Sequence, residues 1–248
     1  MSNINESLKH LYSRNWDIYN HKVYEWENEN PTKGITKPLC LAISDENRYY
    51  SSDIKVMIFG QETNGWFDDD DRYIGLEGMQ DAYMSFYKGA NFDPKKKHKG
   101  QFKNGFNHIV SSLYDNYQER NIEFVWNNII KRGKKNGKGR PPEKVYLLER
   151  DYFDVVKEEI DILKPDVIIF FTGPYYDKYI ANVFEHVNKN ESFKEVPGFK
   201  KRQLAKIKGI NTKIAIRTYH PNYLYRVRGK KKHTDYFNTI MTLIKNAL

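Results

Sequence analysis

Four short runs of the chain are apolar at most positions: residues 54–59 (IKVMIF), 122–127 (IEFVWN), 166–171 (DVIIFF) and 213–219 (KIAIRTY). Near-continuous apolar runs of this length, with no alternation, predict strands covered on both faces, as in a parallel sheet. The stretches between them carry helical periodicity, over about 76–88, 105–117, 147–163 and 175–187, and a last helix is expected over 234–247. Near the start, Leu8, Tyr12, Tyr19, Val23 and Trp26 fall at helical spacing, so residues 5–28 read as one amphipathic helix, ended by Pro31 and Gly34. Strands alternating with helices predict an α/β fold, a three-layer αβα arrangement around a mostly parallel four-stranded central sheet. There is no internal repeat and no linker-like segment. The expectation is therefore a single domain, 1–248, in which an N-terminal helix (1–30) packs on an α/β core (50–248).

In such a sheet, ligands bind beyond the carboxyl ends of the strands, so the residues leaving each strand matter most. They read GQETNGW (60–66), NIIKRGKKNGKGRPP (128–142), TGP (172–174) and HPNYLYRVRGKKKH (220–233). Two of these exits are strongly basic. Residues 131–140 hold six Lys or Arg and no acid, and residues 226–232 hold five; a third basic loop, KKKHK, spans 95–99. Basic loops on one sheet edge would form a positive rim suited to phosphates. The formal net charge of +9 agrees with a polyanionic partner. The 19 Tyr and 14 Phe supply both core and faces on which bases can stack.

Other features exclude function classes. Cys40 is the only cysteine, which removes a disulfide framework, a Cys-rich zinc site and a four-Cys iron–sulfur cluster. The acidic run 68–71 reads as a solvated loop, so neither a metal nor a cofactor is expected. The dinucleotide-binding GxGxxG and the P-loop are both missing. No run approaches the roughly 18 apolar residues of a membrane span, and the first residues lack a secretory apolar stretch. A cytoplasmic, monomeric protein without a membrane partner is expected.

Taken in order, the strand exits resemble the uracil-DNA glycosylase superfamily. TYHPNYLYR (218–226) is similar to the TYHPAYLLR-type segment of its iron–sulfur class and to the HPSPLS loop found elsewhere in the superfamily. NIIK (128–131) resembles NVVK, and LKPDVIIFFTG (163–173) resembles LKPKVIVALG. GQETNG (60–65) falls where the superfamily has GQDPYH, GEAPG or GINPG. The resemblance runs from about residue 54 to 226 and is carried by these four segments.

The resemblance implies a uracil-DNA glycosylase-like fold and a set of roles. Glu62 matches the catalytic acid that orients water and stabilises the sugar cation, and His220 the histidine that hydrogen-bonds the departing base. Asn128 matches the asparagine that reads the base edge, with Asn127 as the alternative if the register slips by one. Gln61 lies beside the base through its backbone, Tyr73 stacks on the base, and Asn64 stands where a bulky residue screens C5 of the pyrimidine. Leu224 falls at the position pushed into the duplex. Tyr225, Arg226, Arg228, Lys131, Arg132, Lys134 and Lys135 are the expected DNA contacts.

The chemistry is coherent in its own right. Glycosidic cleavage leaves positive charge on the sugar and negative charge on the base, which a carboxylate and a hydrogen-bond donor stabilise. The expected activity is that of a monofunctional DNA glycosylase that flips a pyrimidine out of DNA and leaves an abasic site. The sequence departs from the superfamily in four ways, the first being Glu62 where the classical motif has an aspartate, one methylene shorter. The four iron–sulfur cysteines are missing, Thr63 replaces a proline after the acid, and Asn64 replaces a tyrosine. The substrate is therefore either uracil or a 5-modified pyrimidine, including bulky modified cytosine of phage DNA in a defence role. A non-catalytic nucleic-acid-binding module of the same fold is the competing class.

Overall fold

The structure, a computed structural model, describes residues 3–66, 75–88, 100–227 and 231–248. The first half comprises α1 (Ile4–Ser13), α2 (Trp16–Glu29), α3 (Glu46–Ser51), β1 (Ile54–Gly60), α4 (Leu76–Lys88), α5 (Gln101–Asn116) and β2 (Ile122–Asn128). The second comprises α6 (Glu143–Tyr152), α7 (Val156–Leu163), β3 (Val167–Phe170), a 3-10 turn (Pro174–Tyr176), α8 (Asp177–Val183), β4 (Phe193–Glu195), β5 (Leu204–Ile207), β6 (Ile214–Thr218), α9 (Pro221–Leu224) and α10 (His233–Lys245). The chain divides into two compact units. One is formed by Met1–Glu46, Gln61–Phe86 and Asn128–Leu163; the other by Asn47–Gly60, Tyr87–Asn127 and Lys164–Leu248.

The second unit contains the sheet, ordered β2-β1-β3-β6-β5-β4. β1 pairs parallel with β3, and β3 parallel with β6. All four strands expected from the apolar runs are present. Their buried faces explain the lack of alternation: β3 and β6 are buried at every position. In the register Phe59 lies opposite Phe170, with rings stacked 4.7 Å apart. Because β1, β3 and β6 run parallel, their carboxyl ends leave one edge of the sheet.

Two elements correct the expected architecture. The sheet has six strands, because β5 pairs antiparallel with β6 and β4 antiparallel with β5. Both added strands are short and carry exposed lysines among their apolar residues, which hides them from a search for apolar runs. The expected N-terminal helix is two helices. Asn3 caps α1 by accepting from the Asn5 and Glu6 amides, and the helical path breaks at Asn15, where φ is −135°.

The expected helix over 147–163 is also two, α6 and α7, parted at Phe153. That break belongs to the first unit, where α1 packs on α7 and α2 on α6. It turns the buried Phe153 ring onto Tyr19 at 4.9 Å and Tyr12 at 5.8 Å. The burial of three aromatic rings outweighs the modest preference for continuing the helix.

Candidate active site

In the first unit, the candidate acid sits in a loop whose backbone is fixed from several sides. Gln61 and Glu62, both half-buried, follow directly on the carboxyl end of β1. The Gln61 carbonyl accepts from the Ile130 amide at 3.0 Å. Thr63 is buried, and its hydroxyl hydrogen-bonds the Thr36 hydroxyl. Thr36 also ties to Gly133: its hydroxyl accepts from the Gly133 amide at 2.7 Å, and its amide donates to the Gly133 carbonyl at 3.1 Å.

A side chain at Gly133 would place its Cβ 1.8 Å from the Thr63 carbonyl oxygen, so only glycine fits there. Thr63 is thus a hydrogen-bonded anchor for the residue before it. Thr36 and Gly133 were missed by sequence reasoning. Neither carries a motif, and their partnership spans nearly a hundred residues.

The loop following β2 is anchored by buried ions. Glu149, inside α6, accepts from two consecutive amides, Lys131 at 2.8 Å and Arg132 at 3.2 Å. Burial pushes its carboxyl up to about 7, against the opposing pull of these amides and cations. The Lys131 ammonium bonds Glu159 at 2.6 Å, and Glu159 also accepts from the Tyr12 hydroxyl at 2.7 Å. Arg132 donates to the Tyr19 hydroxyl, the Thr36 carbonyl and Asn20.

These contacts correct two expected DNA contacts. Lys131 is 0% and Arg132 3% exposed, and both are spent on the interior of this unit. Buried cations need partners to offset desolvation, and these have them. The positive surface of this exit is instead carried by residues further along. Lys134 is exposed, and Lys135 is partly exposed with its amide bonded to the Gly34 carbonyl. Arg140 pairs with Glu143. Asn64 is exposed, and Asn128, the last residue of β2, is buried. Cys40 is buried, and burial raises its thiol far above the ordinary range, so it is no nucleophile.

In the second unit, His220 follows β6 and caps α9. Its Nδ1 accepts from the Asn222 amide at 3.1 Å. A ring nitrogen that accepts carries no proton, so the neutral imidazole bears its hydrogen on Nε2. Burial lowers its pKa to about 4, so the ring is neutral at physiological pH. The ring lies 6.0 Å from that of Phe102 on α5, with the planes 28° apart.

The close approach of α5 to the His–Pro turn requires Gly105, where a Cβ would lie 2.4 Å from Pro221. Asn127, the alternative base reader, is buried, and its amide donates to the Met57 sulfur across the strands at 3.8 Å.

The rest of the HP segment divides between core and surface. Leu224, expected as an inserted wedge, is 0% exposed and belongs to the core of this unit. The short helix α9 turns it inward, one residue beyond Tyr223, which is 51% exposed. Tyr225 is half-buried against His233 and Phe237. Arg226 is exposed and donates to the Asn222 carbonyl at 2.8 Å. Tyr73, Arg228, the acidic run 68–71 and the basic loop 95–99 lie outside the described residues.

Among the described residues, no group of three or more His, Cys, Asp or Glu could hold a metal ion, and no helix is long and apolar enough to cross a membrane. No protein-family model matches the chain, and no curated protein matches it in sequence.

Proposed function

We propose that this chain is a DNA glycosylase, with a three-layer αβα fold of the uracil-DNA glycosylase type, that hydrolyses the N-glycosidic bond of an extruded pyrimidine. The observation that carries the reading is His220. Its imidazole is fixed as a neutral ring with Nδ1 occupied and Nε2–H left as donor. Such a donor suits the O2 of a departing pyrimidine, where negative charge accumulates as the bond breaks.

In the proposed reaction the C1′–N1 bond breaks, and its electron pair leaves with the base. His220 stabilises that anion through Nε2–H, without needing to be a cation. Glu62 holds the water that adds to C1′ and accepts its proton, while its charge favours the cationic sugar. The products are a free base and an abasic site. Asn128 would read the pyrimidine edge, having both donor and acceptor in one amide. Gln61 would lie alongside through its backbone and Tyr73 would supply a stacking face. Lys134, Lys135, Arg226 and Arg228 would neutralise phosphates.

The substrate class is a pyrimidine, uracil or 5-substituted. Exposed Asn64, in place of a bulky ring, favours tolerance of a substituent at C5. Excision of bulky modified cytosine would make the protein a defence enzyme; excision of uracil would make it a repair enzyme.

The test is alkali-dependent strand cleavage on three matched DNAs, carrying uracil, bulky 5-modified cytosine or no modification. Breaks are expected on one of the two modified DNAs and not on the third. Glu62→Gln should slow them by about 100-fold or more, the scale on which a positioned electrostatic group acts. Binding to all three DNAs without breaks in any would instead identify a non-catalytic binding module.

A further inference from the structure

The face of the sheet unit around the exits of β3 and β6 carries tyrosines that the proposed chemistry does not use. Tyr175, in the turn after β3, is 82% exposed, and Tyr223 on α9 is 51% exposed. Tyr223 packs its ring against Tyr219, with centroids 4.5 Å apart. The exposed Arg202, in the turn entering β5, interacts with the Tyr219 hydroxyl and, electrostatically, with those of Tyr175 and Tyr223. The turn that carries Tyr175 approaches Tyr219 at Gly173, so two segments, 173–175 and 219–223, bring their tyrosines to the same region as Arg202.

The cluster stands on a rigid base. Arg217 of β6 is fully buried and forms a two-point ion pair with Asp177, through Nε at 2.8 Å and a terminal nitrogen at 3.0 Å. The same guanidinium donates to the carbonyls of Lys201 at 2.9 Å and Arg202 at 3.0 Å. One buried bridge therefore fixes both the turn that carries Arg202 and the start of α8, two residues beyond Tyr175. Gly173, at φ 75°, sets the turn before Tyr175 and donates its amide to the Thr218 carbonyl at 2.9 Å.

We propose that Tyr175, Tyr223 and Arg202 form a stacking platform for unpaired bases of a DNA strand. This rests on the reading of the chain as a DNA-acting protein, but on none of the residues assigned to bond cleavage. The chemistry favours a single strand. Exposed aromatic faces and a guanidinium plane pair with base faces, which a duplex keeps stacked on one another. Lys201 and Arg226, in the same unit, add positive charge for the accompanying phosphates. An enzyme that extrudes a nucleotide leaves bases unstacked, and such a surface would hold one of them.

The test is fluorescence anisotropy with two labelled 12-mers of equal charge, oligo-dT and an abasic analogue with the same backbone and no bases. Neither contains an excisable uracil or modified cytosine, so the result is independent of base release. The wild-type chain should prefer oligo-dT. Tyr175→Ala with Tyr223→Ala should weaken oligo-dT binding by about 10-fold or more and leave the abasic probe unchanged. Tyr175→Phe with Tyr223→Phe, which keeps both rings, should retain binding and guards against misfolding. Equal binding of the two probes by the wild type, or an unchanged affinity in the double alanine variant, would overturn the platform. If base release fails on every DNA while the double variant loses oligo-dT binding, the platform stands and the glycosylase reading falls.

Discussion

At the scale of single residues, His220 is the most informative position. The Asn222 amide holds its Nδ1 unprotonated, and burial lowers its pKa from the ordinary 6.5 to about 4. A catalytic step that uses neutral His220 should therefore show no inflection near pH 6.5 in its rate profile. The loss attributable to His220 should appear only as the pH falls toward 4. A single-turnover profile from pH 8 to 4 checks this, and a His220-dependent inflection near 6.5 would contradict it. The same shift affects folding. Because the folded-state pKa is depressed, the unfolded chain binds more protons between the two values. The contribution of His220 to stability is therefore complete above about 6.5 and is lost as the pH falls through 4.

Charge at the residue scale behaves less simply than the sequence suggests. The run 131–140 reads as six equivalent cations, yet Lys131 and Arg132 are interior groups with dedicated partners. Removing one partner of such a pair leaves an uncompensated buried charge, at a typical cost of roughly 3–5 kcal/mol. Nothing in the local pattern marks the first two cations as different. Their partners Glu159, Glu149 and Tyr19, with Tyr12 bonded in turn to Glu159, come from four helices, α7, α6, α2 and α1.

At the scale of elements, the candidate acid depends on the junction of three segments, 34–36, 61–63 and 130–133. Gly133 touches the Thr63 carbonyl so closely that any side chain must displace it. Gly133→Ala should move the Glu62 loop and reduce base release by at least about 10-fold, with no comparable loss of DNA binding. Single-turnover kinetics and anisotropy on the same DNA check this; equal losses in both would mean general unfolding.

What was legible at this scale follows from burial. The four main strands announced themselves as apolar runs because both faces are covered. The short, lysine-bearing β4 and β5 did not, since strands of three and four residues carry little periodic signal. The breaks at Asn15 and Phe153 were also hidden. The Phe153 break is set by the Tyr12–Phe153–Tyr19 packing, which forms only in three dimensions.

At the scale of the whole molecule, the proposed reading joins the net charge of +9 and the strand-exit motifs, which suit a polyanion, to His220, whose Nε2–H would supply the electrophilic half of the reaction. Of the candidate site, the positions of Glu62 after β1 and His220 after β6 were readable from the order of motifs. The inward turn of Leu224 and the anchoring by Thr36 and Gly133 were not, since they depend on tertiary contacts rather than spacing. The central claim is that the bond cut joins sugar and base. Mass spectrometry of the small products released from uracil-containing and modified-cytosine DNA tests it most directly. The account predicts a free pyrimidine base from one of them, in equal number with abasic sites and greatly diminished with Glu62→Gln. Release of nucleotides in place of free base, or of nothing from either DNA, would contradict it.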